Sequence, residues 1–377
     1  GKRDDAIATL THSVDLLDEM SLALSPNDKT AFLGKNVQAY QTLVRLLVES
    51  NRDEEAFRVN ERARARALLE LLGGRSLPVG KVSEELASRE ERLRARIREL
   101  LAAPVSESNQ VRLSSLKEEY GFLLDEIARV DPGRAGLGQF ETPDARKLSK
   151  NLGRKRALLE YVVQQDRTYL FLVANNEVRA IRVEIGEEEI TQLLGKWRRS
   201  LPRGGDEELS QLLGRKLVEP ALPLLEGVEE LVVVPHQSLH YLPFSAIETA
   251  GKPLIEQYRL SRAPSASAWL LSQNQELRKG PFAAAALGNV SIAPDQTEEI
   301  TRGSSFAPLP GTLKEVSALV NLFPGSTQIV ENELTTAELR KVGTESGALH
   351  VATHGVFDPE HPLFSGLVTS DGMVTVA

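Results

Sequence analysis

The chain contains no cysteine, which excludes disulfides, cysteine-ligated zinc and a thiol nucleophile of its own. It also has no apolar run near the roughly 18–20 residues that span a bilayer. The opening Gly1-Lys2-Arg3-Asp4-Asp5 is followed by no signal-peptide core, so a cytoplasmic protein without a membrane segment is expected. Basic residues are outnumbered, 45 Lys and Arg against 53 Asp and Glu, for a net charge of −8. That balance argues against a general affinity for nucleic acid or anionic membrane. Two catalytic signatures are missing as well. No Gly-x-Ser-x-Gly elbow is present, since Ser245 follows Leu242-Pro243-Phe244 and Ser365 merely precedes Gly366. No glycine-rich loop joins a strand to a helix, so a phosphate loop is not expected, and the sequence calls for no cofactor.

What is present suffices for two or three domains: 377 residues, of which 41% are hydrophobic. Residues 1–75 read as helices. Ile7, Leu10, Val14, Leu16 and Leu17 recur near helical spacing, Ser25-Pro26-Asn27-Asp28 interrupts the run, and Asp28 is the expected N-cap of a second helix. That helix carries Phe32, Val37, Tyr40, Leu43, Leu47 and Val48, and a third runs from Glu54 to Leu72. The pairing resembles tetratricopeptide repeats, with Tyr40, Leu43, Leu47, Ala56 and Ala63 at packing positions. Asn51 stands where such a repeat has glycine, and Ala6 and Ala56 lie further apart than one repeat of about 34 residues. A plain helical bundle is the alternative. The repeat reading implies a protein partner on these helices and a further N-terminal portion. Arg62, Arg64 and Arg66, interrupted by Glu61 and Glu70, read as a solvated helix face.

Residues 82–130 read as a charged helical hairpin with a narrow apolar stripe: Leu93, Ile97 and Leu100 going out, Leu113, Leu116, Tyr120, Leu123 and Ile127 returning. A linker follows Asp131-Pro132-Gly133. Beyond about residue 150 the period shortens. Ala157–Val163, Thr168–Val173 and Val178–Val183 are β-rich runs parted by the turn pairs Gln165-Asp166 and Asn175-Asn176. Helices are expected near 187–200 and 206–225, then the apolar strand Leu231–Pro235. Strands at 283–288, 326–330 and 347–353 then alternate with helices at 312–322 and 335–342. This pattern predicts an α + α/β chain whose largely parallel sheet lies between helices.

Functional residues of such sheets collect beyond the carboxyl ends of the strands. Four of the six histidines lie at two of these ends: His236 with His240, and His350 with His354. Both pairs have the i, i+4 spacing that a helix would turn into a metal site. On a strand, however, residues four apart lie about 13 Å apart, and no glutamate follows His350. A zinc site is therefore not expected. A histidine ending a buried strand and followed by glycine has another use. Its imidazole can serve as a general base. Glycine lets the backbone turn and offers an N–H to an oxyanion.

Several segments in order carry a family resemblance: Glu61-Arg-Ala-Arg-Ala-Arg-Ala-Leu-Leu69, Leu158-Leu-Glu-Tyr161, Val234-Pro-His-Gln-Ser-Leu-His-Tyr-Leu-Pro-Phe244, Pro264-Ser265, Leu309-Pro-Gly-Thr-Leu-Lys-Glu-Val316 and His350-Val-Ala-Thr-His-Gly355. Together they resemble the CHAT family, caspase-like cysteine peptidase domains found behind tetratricopeptide repeats. The resemblance implies a pseudo-caspase part over 150–275, in which His236 and His240 are structural. It implies a catalytic part over 280–377, with His354 as general base, the Gly355 N–H in the oxyanion hole, and a protein or peptide substrate. The family places its cysteine after the next strand, beyond Ala377, which lies 23 residues past His354. A truncated, inactive fragment with strand 347–353 left as an unpaired edge is the corresponding expectation. A non-catalytic scaffold that binds or regulates partners is the alternative. Asp295 and Asp358 are acids that could select a basic substrate side chain, and neither is assigned that role.

Overall fold

A computed structural model describes residues 1–22, 26–73, 144–201, 204–273, 279–289, 306–356 and 365–375, with shorter pieces between 85 and 126. The chain forms two compact units, Gly1–Asn274 and Gln275–Ala377.

The first unit opens with three helices, α1 (Lys2–Leu22), α2 (Pro26–Val48) and α3 (Asp53–Gly73). Helix α2 starts at Pro26, so Asp28 lies inside the helix and is not its N-cap. Proline supplies the helical φ at a first turn and has no N–H to satisfy there. Asn51 takes a left-handed φ of 57° in the turn before α3, a conformation asparagine tolerates nearly as well as glycine. Of the expected hairpin over 82–130, the described residues are helical, and Arg89 pairs with Glu126 at 3.1 Å. The rest of it, the linker at 136–143, and Asp295 and Asp358 lie outside the described residues.

Next come α4 (Ala145–Leu152), capped by the Asp144 carboxylate on the Lys147 N–H, and the strands β1 (Arg156–Val163), β2 (Thr168–Ala174) and β3 (Glu177–Val183). Two helices follow, α5 (Glu187–Ser200) and α6 (Glu207–Leu217), then β4 (Glu230–Val234) and β7 (Arg259–Arg262). The short ribbon β5 (Glu248–Thr249) and β6 (Lys252–Pro253) stands between β4 and β7. Helix α7 (Ala266–Gln273) closes the unit. The expected helix over 206–225 breaks after Leu217 into a 3₁₀ segment, Glu219–Leu224, containing Pro220 and Pro223, because proline cannot continue an α-helical ladder. The sheet order is β3-β2-β1-β4-β7, antiparallel from β3 to β1 and parallel from β1 to β7. One face packs Leu158, Val162, Phe171 and Val232 against Tyr40, Leu43, Phe57, Leu148 and Trp269. The other packs Leu159, Tyr161, Leu170 and Val233 against Ile190, Trp197, Leu213 and Leu217. Both faces are thus covered at β1, β2 and β4, which is why these three strands read as nearly continuous apolar runs.

A close approach secures α6. A Cβ on Gly214 would sit 1.7 Å from the Glu248 carbonyl oxygen, so only glycine lets the helix reach the β5 backbone. Gly214→Ala should therefore lower stability by about 1–3 kcal/mol or more as helix and ribbon are forced apart. A wild-type urea midpoint in that variant would contradict this packing.

The second unit contains β8 (Phe282–Ala286), α8 (Thr312–Leu322), β9 (Thr327–Val330), α9 (Thr336–Glu345) and β10 (Ala348–Ala352). It ends in a small antiparallel sheet of β11 (Gly355–Val356), β12 (Gly366–Thr369) and β13 (Gly372–Thr375). The main sheet is parallel in the order β10-β8-β9, so among the described residues β10 is an edge. Its central strand is a run of fully buried alanines, Ala283–Ala286. Alternate alanines face Val316 and Val320 of α8 on one side, and Leu339 and Val342 of α9 on the other. Among the described residues no helix is long and apolar enough to cross a membrane.

Candidate functional site

The carboxyl ends of β8 and β10 meet in the second unit. The Leu287 N–H donates to the Ala352 carbonyl at 3.0 Å, and the Leu309 N–H donates to Gly288 at 2.7 Å. The Phe306–Gly311 segment is thereby laid over the strand ends. Gly288 permits this contact, since a Cβ there would lie 3.0 Å from both the Leu309 carbonyl oxygen and the Thr312 hydroxyl. From the end of β9 the Glu331 carboxylate accepts the N–H groups of Gly288 and Asn289, each at 3.3 Å.

His354 follows β10 within this frame. Its Nε2 lies 2.7 Å from the Ala307 carbonyl oxygen, and the Phe306 ring packs on the imidazole with centroids 4.9 Å apart. A carbonyl can only accept, so Nε2 carries the proton and Nδ1 holds the lone pair of the neutral ring. The same carbonyl would stabilise the imidazolium. Ala307 precedes Pro308, which disfavours helical backbone and keeps the residue extended. Ala307 and Phe306 belong to none of the motifs above, and Pro308 beside them is the local signal in the sequence.

Gly355 begins β11, opposite Leu367. The Val368 N–H donates to the His354 carbonyl at 2.9 Å, so antiparallel alternation directs the Gly355 N–H away from β12. The expectation that Gly355 lets the backbone turn is corrected. Gly355 is not among the left-handed glycines, its backbone runs on as strand, and a Cβ there would meet nothing nearer than the Gly366 carbonyl oxygen at 4.0 Å.

The two histidines of the second unit meet different partners. His350 faces α8, with Nε2 3.0 Å from a Glu315 carboxylate oxygen, whereas His354 meets Ala307. Among the described residues no three His, Asp or Glu side chains are grouped to hold a metal ion. In the first unit the His236 Nδ1 accepts the Val163 N–H at 3.0 Å. Burial, then the nearby Arg64 and His240, push His236 down to about 3, so its ring is neutral near neutrality. Burial and the charges of Arg64 and Arg262 lower His240 as well. Arg262 also donates to the His240 carbonyl at 2.8 Å.

The arginines of α3 depart from the solvated face expected of them. Arg64 is 10% exposed and donates to the carbonyls of Pro235 at 2.9 Å, Pro264 at 3.3 Å and Tyr161. Its Nε lies 3.2 Å from Glu160, which is fully buried in the middle of β1. Glu61, also fully buried, accepts the N–H groups of Ala266 at 3.1 Å and Ser267 at 2.7 Å at the start of α7, and the Ser267 hydroxyl. Arg62 bridges Asp15 and Asp18 of α1. The Arg66 side chain lies outside the described part. A run of charges with helical spacing does not reveal that one of its faces meets a sheet.

No curated protein matches the chain. Residues 207–376, which take in α6, both histidine segments and the β12–β13 hairpin, match the family model of the CHAT domain. Over this stretch the chain is similar to the CHAT domain.

Proposed function

We propose that the chain is the histidine-bearing part of a caspase-like cysteine peptidase acting on a protein or peptide, with N-terminal helices that receive a protein partner. The observation that carries this reading is the 2.7 Å contact from His354 Nε2 to the Ala307 carbonyl. It leaves Nδ1 as the base and supplies a fixed acceptor for the imidazolium. In the proposed reaction Nδ1 takes the proton of a thiol that this chain does not contain, and the thiolate attacks the scissile carbonyl carbon. The Gly355 N–H donates to the oxyanion that forms. The imidazolium then returns its proton to the leaving amine as the C–N bond breaks. No cofactor, metal, nucleic acid or membrane enters this scheme, and a cytoplasmic setting suits a thiol enzyme. For the helices, the tetratricopeptide-like reading is supported by Leu16 and Met20, one turn apart on α1 and 45% and 47% exposed.

The test is to express the chain with the coding sequence that follows Ala377 and assay peptide cleavage, with and without His354→Ala. The substitution should reduce turnover by about 10²–10⁴-fold. Undiminished cleavage by that variant would remove His354 from the mechanism. The absence of cysteine favours a second reading, a non-catalytic scaffold. No cysteine in the continuation and no cleavage would establish that one instead.

A further inference from the structure

His354 is held from its backbone side by a clamp outside the β10 ladder. The Thr353 hydroxyl donates to the Val368 carbonyl at 2.8 Å, and the Val368 N–H donates to the His354 carbonyl at 2.9 Å. Both backbone polar groups of one buried residue on β12 thus grip the two residues that follow β10. The hairpin bearing Val368 is itself fixed at its turn. Asp371 Oδ1 accepts the Thr336 N–H at 2.7 Å, capping α9, and the Thr369 hydroxyl at 3.0 Å. Its Oδ2 accepts the Thr336 hydroxyl at 3.2 Å. Beside it the Ser370 N–H donates to Leu334 at 2.8 Å, and the Ser370 hydroxyl reaches the Asn332 and Leu334 carbonyls at 3.1 Å. Partial burial raises the Asp371 carboxyl, but the bonds from Thr336 and Thr369 outweigh it and leave the group below its usual range.

We propose that the Thr353 hydroxyl and the Asp371 carboxylate are positioning groups for His354, holding β12 on the His354 backbone so that Nε2 stays on the Ala307 carbonyl. The role is one of geometry, because neither group touches the imidazole. Thr353 acts through the Val368 carbonyl, and Asp371 through the turn that sets where Val368 lies. Without the clamp, the backbone of the segment beyond β10 rests on the two-residue strand β11, and its imidazole on the Ala307 carbonyl and the Phe306 ring. A displacement of under an ångström there is enough to lengthen a 2.7 Å bond beyond useful range. The functional meaning of this clamp rests on the reading of His354 as the general base.

The experiment measures the imidazole directly in the full chain, with ¹⁵N-labelled histidines and His354→Ala to assign the signal. The wild-type ring should show an Nε2-protonated tautomer with slow Nε2–H exchange. Thr353→Val keeps the shape and removes the hydroxyl. It should blur the tautomer and speed exchange by about tenfold, the equivalent of one lost hydrogen bond, while Thr353→Ser restores both. Asp371→Ala should act in the same direction, and Asp371→Asn, which keeps an oxygen for the α9 cap, more weakly. If Thr353→Val fails to fold, the serine and Asp371 variants carry the test. A folded Thr353→Val or Asp371→Ala chain with wild-type tautomer and exchange would overturn the proposal. Because the signal is read without turnover, an active His354→Ala enzyme would refute the catalytic reading and leave the clamp standing.

Discussion

Arg64→Met should lower the stability of the chain by about 3–5 kcal/mol, the cost of removing one partner from a buried charged cluster. Methionine keeps much of the apolar stem, so the loss falls mainly on the guanidinium. That group crosslinks α3 to the loop ends after β1, β4 and β7 through the Tyr161, Pro235 and Pro264 carbonyls. It is also the cation beside Glu160, with Nε at 3.2 Å, and Asn60 donates to the same carboxylate. Without Arg64, the fully buried carboxyls of Glu61 and Glu160 would face each other with no opposite charge from that arginine. The expected readout is a large drop in urea midpoint. Adding Glu160→Gln to Arg64→Met should recover part of it, because the amide removes an acid that faces Glu61 and keeps an oxygen for Asn60. A double variant as unstable as the single one would mean that the carbonyl crosslinks, not the charge, dominate.

Strands β1, β2 and β4 were legible because both of their faces are buried, so each announces itself as an apolar run, whereas β7 reads Arg-Leu-Ser-Arg and does not. Their turns were legible too. Asn175 and Asn176 take φ values of 50° and 64°, the left-handed pair that a tight hairpin needs and that asparagine tolerates. The polar interior was not legible. Glu160 interrupts the run Leu158-Leu159-Glu160-Tyr161 without moving it to the surface, since Arg64 and Asn60 arrive from roughly 100 residues earlier. Local periodicity carries no information about partners at that separation. The same holds for sheet order. β7 pairs with β4 across the intervening β5–β6 ribbon, and nothing in the composition of either strand specifies that neighbour.

The candidate site divides along similar lines. His354 could be found because it ends a strand and sits within an ordered set of motifs. Its partner is a backbone carbonyl, and a carbonyl has no residue type to recognise. Pro308 restrains Ala307, but proline after alanine is too common to nominate a site by itself. Gly355 was singled out for a conformational freedom that its extended backbone does not use. What remains of its case is the N–H that strand alternation turns away from β12.

Two buried groups should give the stability of the chain opposite slopes with pH. Burial, then the charge of Glu61, raise the Glu160 carboxyl well above 4.5, outweighing Arg64 and Asn60. The folded state therefore holds this proton more tightly than the unfolded chain does. Its contribution is full below about pH 4.5 and is lost as pH rises through the folded value. His236 behaves in the reverse sense. Its folded pKa falls from 6.5 to about 3, so its contribution is full above 6.5 and is lost as pH falls towards 3. From 4.5 upward the two oppose each other, and His236 adds no slope above 6.5. Thermal unfolding followed from acid to alkaline buffer should thus show a midpoint that declines as pH rises through the folded Glu160 value in the wild-type chain. Glu160→Gln should flatten that decline and leave the acid limb in place. His236→Asn, whose amide oxygen can still accept the Val163 N–H, should flatten the acid limb alone. An unchanged alkaline decline in Glu160→Gln would mean that Glu160 is ionised in the fold and that Arg64 neutralises it, in which case the recovery in the Arg64→Met/Glu160→Gln pair should be larger.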